Sequence, residues 1–213
     1  MKFCVIGLGR FGYKVATALA EHGMEVVAVD SNESIVASIR DLVTQAICVR
    51  IADEASLRSL GVEEMDTVIV GTGENFAQSI LITALLKQRL NVKHVIARGI
   101  NEIHKEILTL IGADQIILPE QEIGIKLADD LATALTNITR LSKNFAICHV
   151  VAPKKFIGKT LEELKLPKNF DVQCIGIKKD DEIMLADAHY VVSADDKLVC
   201  AGTIDHIKDL MRM

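Results

Sequence analysis

The first 120 residues alternate short apolar runs, rich in valine and isoleucine, with longer segments that have the spacing of amphipathic helices. The apolar runs are KFCVIG, EVVAVD, AICVR, DTVIVGT, HVIAR and QIILP, and the helical segments begin near Arg10, Glu33, Glu54, Asn75, Glu102 and Gln121. Strands and helices that alternate in this way are typical of crossover connections in a parallel sheet. The sequence therefore predicts an α/β fold with a doubly wound parallel sheet.

Six strands of this length make a complete Rossmann sheet, which we expect over residues 1–119. Residues 121–143 follow with apolar side chains at Ile123, Leu127, Leu131, Leu135 and Ile138. This spacing of mostly four predicts one helix with a single apolar stripe, so that residues 120–144 form a connecting helix. The stripe packs either on a second subunit or on the domain's own core, because its periodicity is the same in both cases.

After residue 144 the pattern changes to short strands separated by turns. FAICHVV, VQCIGIK and KLVCAGT are predicted strands, and IKKDDEIM is predicted as a charged hairpin. Thr160–Glu163 has the pattern of a capping box that begins a short helix, and Thr203 precedes a last helix, IDHIKDLM. Residues 145–213 are therefore expected to form a small α+β module.

Composition and charge exclude several classes of function. The net charge is −5, and acidic residues outnumber basic ones both before and after residue 144, so no basic excess is present to neutralise a nucleic-acid backbone. With no tryptophan and 4% aromatic residues, the chain also lacks stacking platforms for bases. No run reaches the length of about 18 apolar residues that a membrane span requires. Because Met1 directly precedes the first strand, we expect no signal peptide and a cytoplasmic protein.

The cysteines and histidines do not form a recognisable metal motif. The five cysteines, Cys4, Cys48, Cys148, Cys174 and Cys200, are scattered without a C-x-x-C pair. We expect them to be reduced and mostly buried. The six histidines lack the spacing of zinc ligands.

The glycine-spaced turn GLGRFG follows the first predicted strand and begins the first helix. Gly7 permits a tight turn, Gly9 lets the backbone approach a pyrophosphate, and Gly12 lets the helix pack against the strand. Arg10 and Phe11 complete the turn. A phosphate would lie at the N-terminus of the helix, where free N–H groups favour an anion. This context predicts a nucleotide site.

Asp30, at the end of the second predicted strand, is the acidic residue expected to accept hydrogen bonds from ribose hydroxyls. Its carboxylate would repel a 2′-phosphate, which disfavours NADP. The chain has no G-x-x-x-x-G-K-[ST] motif, so ATP would bind as a signal rather than as a fuel.

Ligands of such sheets bind at the carboxyl ends of the strands, so the residues that follow each run are candidates for the wall of the site. They are Asp30 and Ser31, Ala52, Asp53 and Glu54, Thr72, Gly73, Glu74 and Asn75, Arg98, and Glu120. Arg10 and Arg98 can hold a phosphate tail or can pair with nearby acids. Asp53 is either an adenine contact or a helix cap, and Glu120 is at least a favourable acid in the first turn of a helix.

The small second module offers no constellation for proton transfer, since His149, His189 and His206 are spread singly along it. A sensor is therefore favoured over an enzyme. Two alternatives stay open: a small NAD-dependent oxidoreductase, and an interaction module in which a bound nucleotide is only structural.

The chain resembles the RCK family, the cytosolic regulatory subunits of bacterial Trk/Ktr potassium uptake systems. The resemblance covers essentially the whole sequence. It is carried by GLGRFG, the acid of VAVD, DEASL, VGTGEN, the Ala97-Arg98 pair, GADQIILPEQEIG, and FIGKTLEEL with CIGIKKDDEIM in the second module.

The resemblance implies a regulator whose N-terminal domains form dimers and a larger ring, commonly an octamer, beneath a membrane-embedded potassium-translocating subunit. ATP, ADP, and in some members NAD or NADH, change the shape of the ring and gate the flux. By position, Gly7, Gly9 and Gly12 would seat the phosphates, Asp30 the ribose and Asp53 the adenine. Arg10 and Arg98 would hold the phosphate tail, and Glu120 would lie at the dimer interface and help to coordinate a divalent cation.

Some members of the family bind cyclic di-AMP between two C-terminal modules. The hairpin IKKDDE is more acidic here than we expect for a site that binds dinucleotide phosphates. The sequence alone leaves this ligand open.

Overall fold

The structure is a computed structural model that describes residues 1–72, 75–132, 136–180 and 182–212 of the 213-residue chain. The described residues form two compact units, Met1–Glu122 and Ile123–Met213. Each unit contains a hydrophobic core of its own.

The first unit alternates strands and helices as the sequence predicts. Its strands are β1 (Lys2–Ile6), β2 (Glu25–Asp30), β3 (Gln45–Cys48), β4 (Thr67–Val70), β5 (Val95–Arg98) and β6 (Gln115–Ile117). Its helices are α1 (Arg10–Glu21), α2 (Glu33–Ile39), α3 (Glu54–Arg58), α4 (Phe76–Ala84), α5 (Glu102–Leu110) and the start of α6 (Pro119–Ala132). A π-helical segment, Leu85–Arg89, continues α4.

The described strands of this unit form a parallel sheet in the order β3-β2-β1-β4-β5-β6. From β1 the chain builds β2 and β3 on one side, and it then crosses to build β4, β5 and β6 on the other side, so the strand order reverses beside β1. The prediction of a doubly wound Rossmann-like sheet is thus confirmed. Ligands bind such sheets at the carboxyl ends of the strands, next to this reversal.

Helices cover both faces of the parallel sheet, and alternate residues of each strand belong to different cores. In β1, Cys4 and Ile6 pack into one cluster, while Val5 packs into the other. All four residues of β4 are buried. This explains why the strands are continuous apolar runs in the sequence rather than alternating ones.

The second unit contains strands β7 (Thr136–Arg140), β8 (Phe145–Val151), β9 (Val172–Lys179), β10 (Glu182–Leu185) and β11 (Lys197–Thr203). Its helices after α6 are α7 (Leu161–Leu164), α8 (Leu166–Phe170) and α9 (Ile204–Met211). The predicted capping box is present, because Thr160 Oγ1 accepts from Glu163 N at 3.2 Å and Glu163 Oε2 accepts from Thr160 N at 2.8 Å. Thr203 caps α9 as predicted.

The strands described in the second unit form an antiparallel sheet in the order β10-β9-β11-β8-β7. In it, Cys200 lies opposite Cys148 on one neighbouring strand and opposite Cys174 on the other. All five cysteines of the chain are free thiols, and Cys48 alone among them is exposed. Burial raises the pKa of Cys148 to about 11 and that of Cys4 to about 12.

The helix predicted over 121–143 is wrong beyond Ala132, because Thr136–Arg140 is strand β7 rather than helix. β7 pairs antiparallel with β8. Ile138 is buried in the core of the second unit, so its apolar character reflects a strand of that sheet. A spacing of three or four residues is compatible with a helix, but the β-branched residues Thr136, Ile138 and Thr139 favour a strand. Leu135 lies outside the described residues.

No helix in the ranges that the structure describes has both the length and the apolar composition needed to cross a bilayer.

The buried histidine His104 belongs to α5 and contacts α4. The ring of His104 is fully buried and stacks on Phe76 with a centroid separation of 4.4 Å. Neither ring nitrogen has a hydrogen-bond partner among the described residues. Burial therefore lowers the pKa of His104 below its ordinary value of 6.5.

We expect this histidine to make the protein less stable in mild acid. Below pH 6.5 the unfolded chain takes up a proton at His104 that the folded chain does not, so the free energy of unfolding falls by about 1 kcal/mol between pH 7.5 and 5.5. Urea unfolding at fixed protein concentration measures this loss. His104→Phe should flatten the profile, whereas the exposed control His22→Gln should leave it unchanged. An equally steep profile in His104→Phe would show that other groups carry it.

Candidate functional site

The glycine turn between β1 and α1 is shaped by close backbone contacts. Gly7 has φ +90°, and a Cβ on it would lie 2.6 Å from Thr72 Cγ2. A Cβ on Gly12 would lie 1.9 Å from the carbonyl oxygen of Gly7. A Cβ on Gly9 would meet nothing within 4 Å. The first and third glycines are therefore required by packing within the protein, while the second faces open space that a ligand can enter.

The N-terminus of α1 is an anion-binding position. Gly9 is its N-cap residue and provides no side-chain cap, and the first turn of α1 contains no acidic residue. The backbone N–H groups of this turn and the positive end of the helix dipole are therefore available to an anion. This agrees with the phosphate site predicted from the turn.

Asp30 lies at the end of β2 and is already bound to backbone. Its Oδ2 accepts a hydrogen bond from Leu8 N at 2.6 Å, and its Oδ1 accepts one from Asn32 N at 2.9 Å. These bonds hold the carboxylate beside the glycine turn. Each carboxylate oxygen keeps a further lone pair that can accept a hydrogen bond from a ligand hydroxyl.

A cavity of about 670 Å³ opens at this edge of the sheet. It is lined by Gly7, Gly9, Arg10, Phe11, Asp30, Asn32, Ile35, Thr72, Asn75, Gln78, Arg98 and Glu120. Nine of these residues were predicted, from five separate segments of the sequence, and the structure brings them together. The size lies in the usual range for ligand cavities, which is about 300–1,000 Å³.

The other predicted residues lie at the margins of this cavity or outside it. Gly12 is buried beneath the turn, and Ser31 lines a smaller adjoining cavity with Asp30. Ala52 lines a neighbouring cavity of about 470 Å³ that shares Asn75 and Gln78 with the main one. Gly73 and Glu74 lie outside the described residues.

Asp53 is the N-cap residue of α3. Its Oδ1 accepts from Ser56 N at 2.9 Å, and the Ser56 side chain bonds back to form a capping box. The hydrogen bonds from the Ser56 backbone and hydroxyl hold the pKa of this carboxyl below its usual value. The capping prediction is confirmed, and the adenine contact stays a prediction.

The two predicted cations have different surroundings. Arg98, at the end of β5, forms an ion pair between its Nη2 and Glu120 Oε1, and its side chain is 17% exposed. Its Nε is buried and has no partner among the described residues. Its guanidinium also lies 6.0 Å from the centre of the Phe11 ring. Arg10 is exposed and forms no ion pair with a described residue.

Sequence reasoning missed Asn32, Ile35 and Gln78. Asn32 caps α2, and its Oδ1 accepts from Ser34 N at 3.0 Å. Gln78 lies in the first turn of α4 and donates from Nε2 to the carbonyl of Ile51 at 3.4 Å. A wider search, from the strand end through the first helical turn, would have included all three. The signal for Asn32 was its capping pattern two residues after Asp30.

The chain matches known families in both units. A model of the TrkA-N domain matches residues 3–119, and a model of the TrkA-C domain matches residues 149–213. The chain is 33% identical over 208 residues to Ktr system potassium uptake protein C of Bacillus subtilis (strain 168), covering 97% of this chain and 94% of the relative. It is 35% identical over 213 residues to Ktr system potassium uptake protein A of the same organism, covering 99% and 94%.

Among solved structures, the GsuK channel bound to NAD resembles this chain with a TM-score of 0.67. The match covers 98% of this chain and 38% of the channel chain, at 19% sequence identity. At this identity the similarity concerns the fold.

The glycine contacts lead to a paired prediction. Gly12→Ala should lower the free energy of unfolding by about 3 kcal/mol, because the added methyl group overlaps the Gly7 carbonyl. Gly9→Ala should leave it nearly unchanged, since Gly9 has φ −60° and its Cβ faces open space. Urea unfolding of both variants measures the difference. Equal stability of the two variants would contradict the packing role of Gly12.

Proposed function

This chain belongs to the TrkA family of proteins, which join a TrkA-N domain to a TrkA-C domain, and we propose that it is a nucleotide-sensing regulatory subunit of a potassium uptake system. It is 33% and 35% identical, over nearly their full lengths, to two proteins named for potassium uptake. The cytoplasmic side of the membrane is where such a subunit would work, bound to a membrane-embedded potassium-translocating partner.

One observation carries the nucleotide part of the proposal. The phosphate turn, the carboxylate of Asp30 and the guanidinium groups of Arg10 and Arg98 surround a single cavity. Phosphates fit the N–H groups at the start of α1, ribose hydroxyls fit Asp30, and the arginines are placed to hold a phosphate tail. ATP, ADP, NAD and NADH share these features, whereas the 2′-phosphate of NADP would meet the charge of Asp30.

The base would lie beyond Asp30, where the two smaller cavities adjoin the main one. Apolar side chains there include Val29, Val49 and Ile51, and Ala52 lies at the rim. Gln78 borders all three cavities and can donate or accept a hydrogen bond. Asp53 lies next to Ala52 in the chain, so an adenine at this rim would be near it.

The residues around the main cavity favour binding over hydride transfer. Its described lining contains no histidine, lysine, tyrosine or cysteine that could exchange a proton with a substrate. The two acids are both engaged, Asp30 with backbone N–H groups and Glu120 with Arg98. A regulatory role needs only that the protein bind its ligands with different affinity in two conformations.

Exposed apolar side chains support assembly into a homodimer and a larger ring. On α5, Ile103 is 67% exposed and Leu110 is 84% exposed. On α6, Leu131 is 78% exposed, and Ile123 and Leu127 are also exposed. Apolar surface that recurs along one helix is typical of a protein interface. We assign these helices to contacts between copies of this chain.

A divalent cation would enter this site with the nucleotide. Among the described residues, no three histidine, cysteine, aspartate or glutamate side chains converge on a point. Glu120 borders the cavity and could supply one oxygen ligand to a cation held by phosphates. We assign no cyclic dinucleotide to the second unit, because its β9–β10 hairpin carries the acidic sequence DDE.

Control of potassium flux follows from a shift in the populations of two conformations of the assembly. ATP has one more phosphate than ADP and gains a contact with Arg10, so it stabilises one conformation of the assembly more strongly than ADP does. Titration calorimetry with ATP, ADP, NAD and NADH, each with and without magnesium, tests binding, and light scattering reports the assembly. Tight binding with different assembly or shape in ATP and ADP supports the proposal. Binding of NAD or NADH alone, without an effect on assembly, would favour the oxidoreductase alternative.

The role of Arg10 gives a specific prediction. Arg10→Ala should reduce the preference for ATP over ADP to about one, because the additional phosphate loses its contact. Lys14→Ala, an exposed cation on the same helix, is the matched control and should keep the preference of the unmodified chain. Calorimetry gives both affinities. A preference that persists in Arg10→Ala would contradict this role.

The interface assignment gives another prediction. Leu110→Glu places a charge on the exposed apolar surface of α5 and should shift the assembly to smaller species in light scattering. Leu42→Glu, at an exposed leucine outside α5 and α6, should not. Circular dichroism establishes that both variants are folded. An unchanged assembly in Leu110→Glu would show that α5 does not take part.

A further inference from the structure

The two arginines of the cavity differ in how available they are to a ligand. Arg10 pairs with no acid among the described residues, so a phosphate that binds it displaces none of those acids. Arg98 is paired with Glu120, and both side chains line the cavity. A phosphate that binds Arg98 must therefore compete with a carboxylate that is already present.

We propose that Glu120 is a built-in competitor of the phosphate tail, which makes the binding of Arg98 to a nucleotide depend on the number of phosphates. The proposal rests on the proposed function and concerns the regulation of the same site. In the empty site Glu120 neutralises Arg98. A short phosphate chain leaves the ion pair in place, and a longer one displaces Glu120.

The geometry of Arg98 favours exchange rather than simultaneous binding of two anions. Nη2 is occupied by Glu120, while Nε is buried and has no partner among the described residues. A phosphate prefers to bind a guanidinium group through two of its nitrogens, so it would compete with the carboxylate for Nη2. Phosphate and carboxylate would then lie side by side around one cation and repel each other.

The free energy needed to break the Arg98–Glu120 ion pair is small enough for a nucleotide phosphate to supply. Glu120 is 68% exposed, and ion pairs with one exposed partner are weak in water. Once released, its carboxylate remains in the first turn of α6, where the helix dipole favours a negative charge. The exchange therefore depends on the charge delivered to Arg98.

Displacement of Glu120 from Arg98 would change the contacts at the start of α6. The Arg98–Glu120 pair joins the end of β5 to the first turn of α6, across 22 residues of sequence. The adjacent backbone bond, from Glu122 N to the carbonyl of Leu118, is 2.9 Å long. Release of Glu120 removes a side-chain tether and leaves this backbone bond. α6 carries the chain out of the first unit, so a signal at this turn has a route to the rest of the protein.

The test is calorimetry of Glu120→Gln in EDTA, with ATP, ADP, AMP and adenosine. The variant removes the competing charge, so its affinity for ATP should rise about fivefold, with a smaller rise for ADP and AMP and none for adenosine. Glu122→Gln is the matched control, because Glu122 lies in the same turn and does not line the cavity. It should bind all four ligands as the unmodified chain does.

Hydrogen exchange provides a second readout. In the unmodified chain, ATP should reduce the protection of the Glu122 amide relative to adenosine, because its bond to the Leu118 carbonyl opens more often once the side-chain tether is lost. In Glu120→Gln the two ligands should give equal protection. The proposal would be overturned if, in EDTA, Glu120→Gln bound ATP with the same affinity as the unmodified chain or with a lower one. If Glu120→Gln bound ATP more weakly than the unmodified chain in magnesium but equally well in EDTA, Glu120 would be a cation ligand only.

The outcomes separate this inference from the proposed function. If the unmodified chain binds ATP and ADP and Glu120→Gln binds them equally well in EDTA, the competitor role fails and the nucleotide sensor stands. If the unmodified chain binds none of the nucleotides, both fail together.

Discussion

Three backbone segments meet at the reversal point of the parallel sheet, and their contact depends on glycine. The carbonyl of Gly7 approaches Gly12 in α1 and Gly71 directly after β4, where an added Cβ would lie 1.9 Å and 2.7 Å from it. Because no side chain separates these segments, α1 can begin directly above the carboxyl end of β1. The position of the Asp30 carboxylate follows from this, since it binds the backbone of Leu8 within the same turn.

The sequence was informative where a local motif or the general geometry of parallel sheets places a residue. The glycine turn, Asp30 and the residues at strand ends could be predicted because parallel strands bring their carboxyl ends to one edge. Pairing of Arg98 with a nearby acid was one of the alternatives, but the sequence did not identify Glu120 as the partner, because the two residues are 22 positions apart. The segment after Ala132 shows a second limit: Ile138 continues a helical spacing, but pairing with β8 makes it a strand residue. The close approach of Gly71 to Gly7 could not be predicted, because the sequence does not show which segment lies opposite a strand end.

The charges in the cavity are balanced by two acids and two cations, and the acids differ in role. Asp30 is fixed by two backbone N–H groups, which keeps its carboxylate in one orientation at the turn. Glu120 is held only by Arg98 and is largely exposed. A fixed acid is suited to reading the position of hydroxyl groups, and a movable acid is suited to responding to charge. The two halves of a nucleotide would thus be sensed by different physical means.

The distribution of thiols makes the chain suited to chemical labelling. Four cysteines are buried, while Cys48 is exposed at the end of β3, and its backbone pairs with that of Asp30. Its Sγ lies 3.7 Å from the carbonyl oxygen of Ser31. A maleimide dye applied to the folded protein would therefore attach at one place, on the strand next to Asp30. Cys48 is thus an attachment point for a fluorescent label that reports ligand entry, and no other cysteine has to be removed.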